Sequence, residues 1–248
     1  DNFMGLFEAR VLGEWFIWGA ALLTLALTRS STVLVAGLAA LVALGVLLLA
    51  RRLTMRGRLT LYGLTAAAAA GAVVLALAFR ETLLELVGRS DDLTGRLDIW
   101  GAVIGLSEQR PVLGWGWVSY WAPWVEPFDD LAVINGVTYL QAHNAWLDVL
   151  LQLGWVGLII FTILIVTTGA RALSWSVDAP LGDPALTSAV RLLPALLLTV
   201  LIVHSLAESR LLIEAGLMLL VYLAVASRLR GVTQPVRTAA PGPPSVTR

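Results

Sequence analysis

Cysteine does not occur in the 248 residues. Disulfides, zinc–thiolate sites and thiol nucleophiles are therefore excluded. Lysine is missing too: all 17 basic residues are arginine, which reads as base usage in a chain also rich in Ala, Gly and Val. Histidine occurs only at His143 and His204. Two imidazoles so far apart in sequence have no metal-ligand spacing, and no Gly-rich phosphate pattern stands out, so neither a metal nor another cofactor is expected. Charge is scarce, 14% of residues against about a quarter in soluble domains. The 17 acids balance the arginines, so no nucleic-acid partner is supported. The chain opens at Asp1 with neither an initiator methionine nor a signal-peptide pattern, and it reads as a segment of something longer.

What is present is apolar. Hydrophobic residues make up 58% of the chain and the mean hydropathy is +0.82, the composition of an integral membrane protein. Hydrophobic segments run over about 11–28, 32–50, 59–79, 145–169, 192–207 and 211–227. Only helices satisfy their own backbone in lipid over such lengths. The expected fold is all-α, a polytopic transmembrane bundle of about six spans. Three spans are expected in 1–79 and three in 145–230, with an extracytoplasmic loop at 80–144 between them. The tail 231–248, rich in Pro, Thr and Ala, reads as disordered.

Arginines orient the bundle. The stretch "RRLTMRGR", 51–58, holds four arginines and no acid, and the tail holds Arg228, Arg230, Arg237 and Arg248 without an acid. Both belong on the cytoplasmic side, which puts 29–31, 80–144 and 208–210 outside. The long loop carries nine acids and four arginines. Within it Leu83, Leu86 and Val87 sit at helical spacing. Segment 94–109 places Leu97, Trp100, Val103 and Ile104 on one apolar side, with Thr94 as a cap and Asp98 near the first turn. It reads as a short amphipathic helix at the membrane surface. Trp115, Trp117, Tyr120, Trp121 and Trp124 then crowd into ten residues. They fit an interfacial aromatic belt or, alternatively, a platform that stacks on sugar rings.

Few polar residues on the outer side stand out. They are Arg29 between two spans, Arg96 in the amphipathic segment, and His143 and Asn144 before the fourth span. His204, Glu208 and Arg210 follow around the fifth-to-sixth connection, with Glu214 deeper. Ionisable groups bordering a span are functional candidates, although Arg29 also suits snorkelling to head groups. His204 and Glu208, four apart, also suit a structural pair on one helix face. Two arginines and a histidine on one membrane face fit one chemistry. Guanidinium groups grip a lipid pyrophosphate and stabilise its departure, and an imidazole takes a proton from an attacking hydroxyl.

The stretch "GRLDIWGAVIGLSEQRPVLGWGW" followed by "QAHNAWLDVLLQLGWVGLIIF" resembles the signature region of the O-antigen ligase and polymerase superfamily. The matching residues are Gly95, Arg96 and Trp100, then Pro111, Gly114 and Gly116, then His143 and Asn144, then Leu150, Gly154 and Gly157. "LTRSSTVLVAGLAAL", 27–41, resembles the span that supplies the family's other arginine, here Arg29. Where the family often has Lys-Asn, "GLFEARVLG" at 5–13 offers Arg10 and no asparagine. The order of motifs matches over about 5–227, and family members usually have about twice as many spans. The resemblance implies a C-terminal half of a bacterial inner-membrane glycosyltransferase with its site on the extracytoplasmic face. Such an enzyme moves a glycan from a polyprenyl-diphosphate carrier to an acceptor hydroxyl on a lipid, a protein or a growing polysaccharide. Carried over, Arg29 and Arg96 hold the diphosphate and His143 acts as base. Asn144, His204, Glu208 and Arg210 support them, and the surrounding lipid is the remaining partner. A non-catalytic flippase subunit or a scaffold for polysaccharide export is the competing expectation. It calls for charge pairs deep in several spans, whereas Glu14, Asp148 and Glu214 all lie near span ends.

Overall fold

The computed structural model describes residues 16, 19–21, 23–25, 27–28, 30–79, 82, 91–118, 121–134, 136–178 and 185–232. Half of the expected first span, the Leu83–Leu86–Val87 segment and the tail from 233 onward lie outside the described residues. The described architecture is helical, with one two-residue antiparallel hairpin in the long loop.

Helix α1, Ser31–Ala50, starts where Ser30 accepts a bond from Val33 N. Helix α2, Met55–Ala78, starts the same way from Thr54, which accepts from Gly57 N. Both are long and apolar enough to cross a membrane, and so is α5 below. The stretch Met55–Ala76 of α2 buries no residue, and α1 buries Ala36, Leu47 and Ala50. Leu38, Leu41, Leu59 and Leu64 stand exposed, as lipid-facing residues do. The loop contains α3 (Asp91–Gln109), α4 (Phe128–Ala132) and a hairpin of β1 (Val133–Ile134) and β2 (Val137–Thr138), in which Val133 pairs with Thr138.

Helix α5, Ala145–Val177, begins at Asn144, whose side chain accepts from Trp146 N and Leu147 N. Helix α6, Ala185–Ser205, contains Pro194. A 3-10 turn, Ser209–Leu212, leads into α7, Glu214–Val232. The expected fifth span is thus a shorter apolar helix ending at Ser205. The expected sixth begins as a turn and becomes helical only at Glu214.

Three apolar cores hold these elements. Ala145, Val149, Phe161, Leu198 and Leu220 join α5, α6 and α7. Ile99, Val103, Trp121, Phe128 and Leu151 pack α3 and the loop onto the first turns of α5. Leu47, Ala50, Val177 and Leu192 close α1 against α5 and α6.

The two ends of α5 differ in what they hold. At its C-terminal end Arg51 Nε donates to Ser176 O at 2.7 Å and Arg58 pairs with Asp178 at 2.7 Å. The 51–58 arginines therefore gather at that end. At its N-terminal end lie α3, the loop and the α6–α7 connection.

Two sequence expectations about α3 are corrected. Thr94 lies inside the helix, three residues past its start, and does not cap it. The buried face is Ile99 and Val103, both 0% exposed, whereas Leu97 and Ile104 are about half exposed. The apolar side read from sequence mixed these two faces. One of them meets the protein, and Leu97 and Ile104 are left to the surroundings.

Candidate functional site

At the N-terminal end of α5 the chain uses glycine to insert a loop into a helix. Gly154 sits at φ +62°, ψ −163°, outside helical geometry. In an unbroken helix Leu151 O and Gln152 O would accept from Trp155 N and Val156 N. Here Trp115 N and Gly116 N donate to those two carbonyls at 3.0 and 2.9 Å. Trp155 N and Val156 N donate instead to Pro111 O and Val112 O at 2.8 and 3.2 Å. The Pro111–Gly116 stretch thus completes the broken ladder, leaving none of these four backbone groups unsatisfied. The approach is so close that a Cβ on Gly114 would lie 2.5 Å from Gln152 C, and one on Gly154 would collide with Val112 O. The paired glycine motifs are a backbone-on-backbone joint.

That joint fixes the loop over the helix start. Trp115 donates to Leu106 O at 2.9 Å beneath the Arg110 guanidinium, and Trp121 is almost fully buried. These two belong to the core. Trp124 is 83% exposed and Trp117 about half exposed, so the belt or platform reading applies to those two alone. Tyr120 lies outside the described residues.

The polar cluster lies between α3, the start of α5 and the α6–α7 connection. Arg96 and Trp100 are one turn apart on the buried side of α3. Arg96 donates to Ala207 O at 2.9 Å and to Glu208 Oε1 at 3.2 Å. Trp100 Nε1 donates to Ala142 O at 2.9 Å. His143 Nδ1 meets Glu208 Oε2 at 3.0 Å, with the Tyr139 ring edge-on beside it. Glu208 therefore receives a guanidinium on one oxygen and an imidazole on the other. The bond from His143 is the largest force holding its carboxyl below the ordinary value. The charges of His143, Arg96 and His204 add to it, against partial burial. An ionised carboxylate only accepts, so a neutral His143 carries its proton on Nδ1. Its Nε2 then presents a lone pair.

His143 takes a left-handed conformation, φ 51°, uncommon for a residue with a Cβ. The next residue, Asn144, is extended and caps α5, so the chain turns sharply and His143 points at Glu208. Strained backbone of this kind is concentrated at functional sites. Asn144 also ties the two segments together, Nδ2 donating to Leu206 O at 3.3 Å. Trp146 Nε1 does the same to Ser205 Oγ at 3.0 Å.

Of the sequence-derived candidates, Arg96, His143, Asn144 and Glu208 come together. Arg29 lies outside the described residues. His204 acts on Glu208 through its charge, but the two do not share a helix face. Helix α6 stops at Ser205, and Glu208 is extended at φ −152°. Arg210 pairs with Glu214 at 2.8 Å, with both side chains more than half exposed, and takes no part in the cluster. Sequence reasoning gave no role to Asp148, Gln152 or Ser209, all buried polar residues here. Their signal was polarity inside an apolar segment, visible for Asp148 and Gln152 in "WLDVLLQLG". Among the described residues no three His, Asp or Glu side chains converge as metal ligands.

The sequence profile of the O-antigen ligase family matches residues 16–162, more than half of the chain. The exopolysaccharide production protein ExoQ of Rhizobium meliloti (strain 1021) is 27% identical over 93 residues, covering 35% of this chain and 21% of ExoQ. The chain thus matches only about a fifth of that relative's length. No solved structure matches. With long apolar helices and a profile match that runs through Arg96, the glycine joint and His143, the chain is a membrane protein belonging to the O-antigen ligase family.

Proposed function

We propose that this protein takes part in bacterial envelope polysaccharide production as a glycosyltransferase, with Arg96, His143 and Glu208 at its centre. The donor is a glycan on a polyprenyl-diphosphate carrier and the acceptor is a sugar hydroxyl. The observation that carries this reading is the Glu208 carboxylate shared by Arg96 and His143, which joins three segments distant in sequence. Family membership and the similarity to an exopolysaccharide production protein support it.

In this reading Nε2 of His143 takes the proton of the acceptor hydroxyl while Glu208 holds Nδ1–H and stabilises the imidazolium that forms. The freed oxygen bonds to the anomeric carbon. The bond from that carbon to the carrier diphosphate breaks, and the diphosphate leaves with the electron pair. Arg96 uses two of its five N–H donors on Ala207 O and Glu208 Oε1. Those that remain suit a diphosphate oxygen, and Arg29 is the second cation assigned to it. The arginines at 51–58 gather at the opposite end of α5 and favour the cytoplasmic side. The reaction then belongs to the extracytoplasmic face of the inner membrane.

The test is transfer by the full-length protein in liposomes, from a polyprenyl-diphosphate glycan to a soluble or lipid-linked acceptor. His143→Ala is expected to slow transfer about 100-fold or more while leaving the amount of folded protein unchanged. Transfer at the wild-type rate by that variant sinks the proposal.

A further inference from the structure

Asp148 has no part in the chemistry above, yet it is nearly enclosed, 2% exposed, beside the cluster. It stands one turn inside α5 from its cap Asn144. Its Oδ2 accepts from Ala142 N at 3.1 Å and from the hydroxyl of Ser209. These partners are chain neighbours of the paired residues: Ala142 precedes His143 and Ser209 follows Glu208. A single carboxylate oxygen thus anchors both segments whose side chains meet at 3.0 Å. Ala142 is gripped from its other side as well, since its carbonyl accepts from Trp100. His143 is therefore set in its left-handed conformation by a neighbour fixed at both N–H and C=O. Packing alone would be served as well by an apolar side chain, because enclosing a carboxylate is costly unless its bonds are used.

We infer that Asp148 is a positioning residue, with Ser209 as its partner, and that together they hold His143 against Glu208. The inference rests on the transferase reading of His143. It separates from that reading because the clasp is measurable without substrate.

Ser209→Ala in the full-length reconstituted protein is expected to lower kcat about tenfold, with KM for the lipid-linked donor unchanged. A shift well under an ångström at the base costs less than the roughly 100-fold loss that follows a 1 Å misplacement. Ser209→Thr keeps the hydroxyl and restores most of the rate, and Asp148→Ala falls at least as far as Ser209→Ala. Backbone amide exchange, followed by mass spectrometry without donor or acceptor, should accelerate in Ser209→Ala in peptides covering 139–144 and 204–210. It should stay unchanged in α2. Unchanged exchange in those two peptides overturns the clasp whatever the rate. A kcat within about twofold of wild type, with His143→Ala inactive, overturns its role in positioning. If His143→Ala still transfers glycan while exchange responds to Ser209→Ala, the transferase reading falls and the clasp stands.

Discussion

Helices α2 and α3 use apolar side chains for different ends. In α2 no residue of the apolar stretch Met55–Ala76 is buried inside the protein. Leu59, Leu64, Val73 and Val74 all stand more than half exposed, an aggregation hazard in water but ordinary against acyl chains. In α3 fewer apolar residues do more within the molecule. Ile99 and Val103 are sealed in the loop core while Arg96 and Trp100, on the same side, reach Glu208 and Ala142. Lipid is as apolar as leucine, so burying more leucine does not by itself hold one membrane helix to another. What fixes a geometry here is hydrogen bonding and close backbone approach. These features gather at the N-terminal end of α5, whereas α2 shares in them, among the described residues, through Arg58 on its first turn.

Glycine gives the strongest way to break that contrast. Gly114→Ala and Gly154→Ala place a Cβ against backbone at positions with φ +68° and +62°. The conformational penalty alone is about 1–3 kcal/mol, and the collision adds to it. Each variant is expected to lose most of its folded population in detergent, read by size exclusion and thermal unfolding. Gly63 and Gly71 of α2 have nothing within 4 Å of a built Cβ. Alanine there should leave stability unchanged or raise it by about 0.5–1 kcal/mol. Equal behaviour of the two pairs would remove the distinction between joint and lipid-facing helix.

This joint also marks the limit of what was legible in sequence. Hydrophobic runs located α1, α2 and α5 because the length of an apolar run answers to the thickness of the hydrocarbon layer. Arg96 was legible as a cation in the amphipathic loop segment and His143 as an isolated imidazole at a span edge. The joining of Glu208 to both was not, because it depends on α6 ending at Ser205 and the chain then extending. Helical spacing instead pairs residue 208 with residue 204. Pro111, Gly114, Gly116 and Gly154 were recognised as a motif, but a string of glycines does not reveal that a loop enters a helix ladder forty residues later. Likewise the apolar side of α3 was read with Leu97 and Ile104 in it. Composition cannot tell a face that meets protein from one that meets the surroundings.

A smaller effect comes from pH and also separates the two regions. Because the Glu208 carboxyl is held below its ordinary 4.5, the folded protein binds a proton there less tightly than the unfolded chain. The resulting stability is fully present above about pH 4.5 and is lost as pH falls through the lower folded value. Thermal unfolding of the full-length protein in detergent should show a midpoint that drops across that window. Glu208→Gln removes this part of the drop, since the amide does not titrate, and lowers the midpoint at neutral pH by weakening both bonds to the carboxylate. An unaltered acid limb in Glu208→Gln would mean that the carboxylate does not hold the segments together.

The smallest expected effect concerns Arg210, two residues beyond Glu208. Its bond to Glu214 is an exposed pair one helical turn apart in sequence, the kind worth about 0.3–0.5 kcal/mol and weakened by salt. Arg96, by contrast, is mostly shielded and shares Glu208 with His143. Arg210→Ala should therefore leave both thermal stability and glycan transfer close to wild type, with any difference shrinking as salt is raised. Transfer reduced as far as in Glu208→Gln would bring Arg210 into the site despite its exposure. The boundary of the cluster would then lie beyond Ser209, and proximity in sequence would have been the better guide than the bonds.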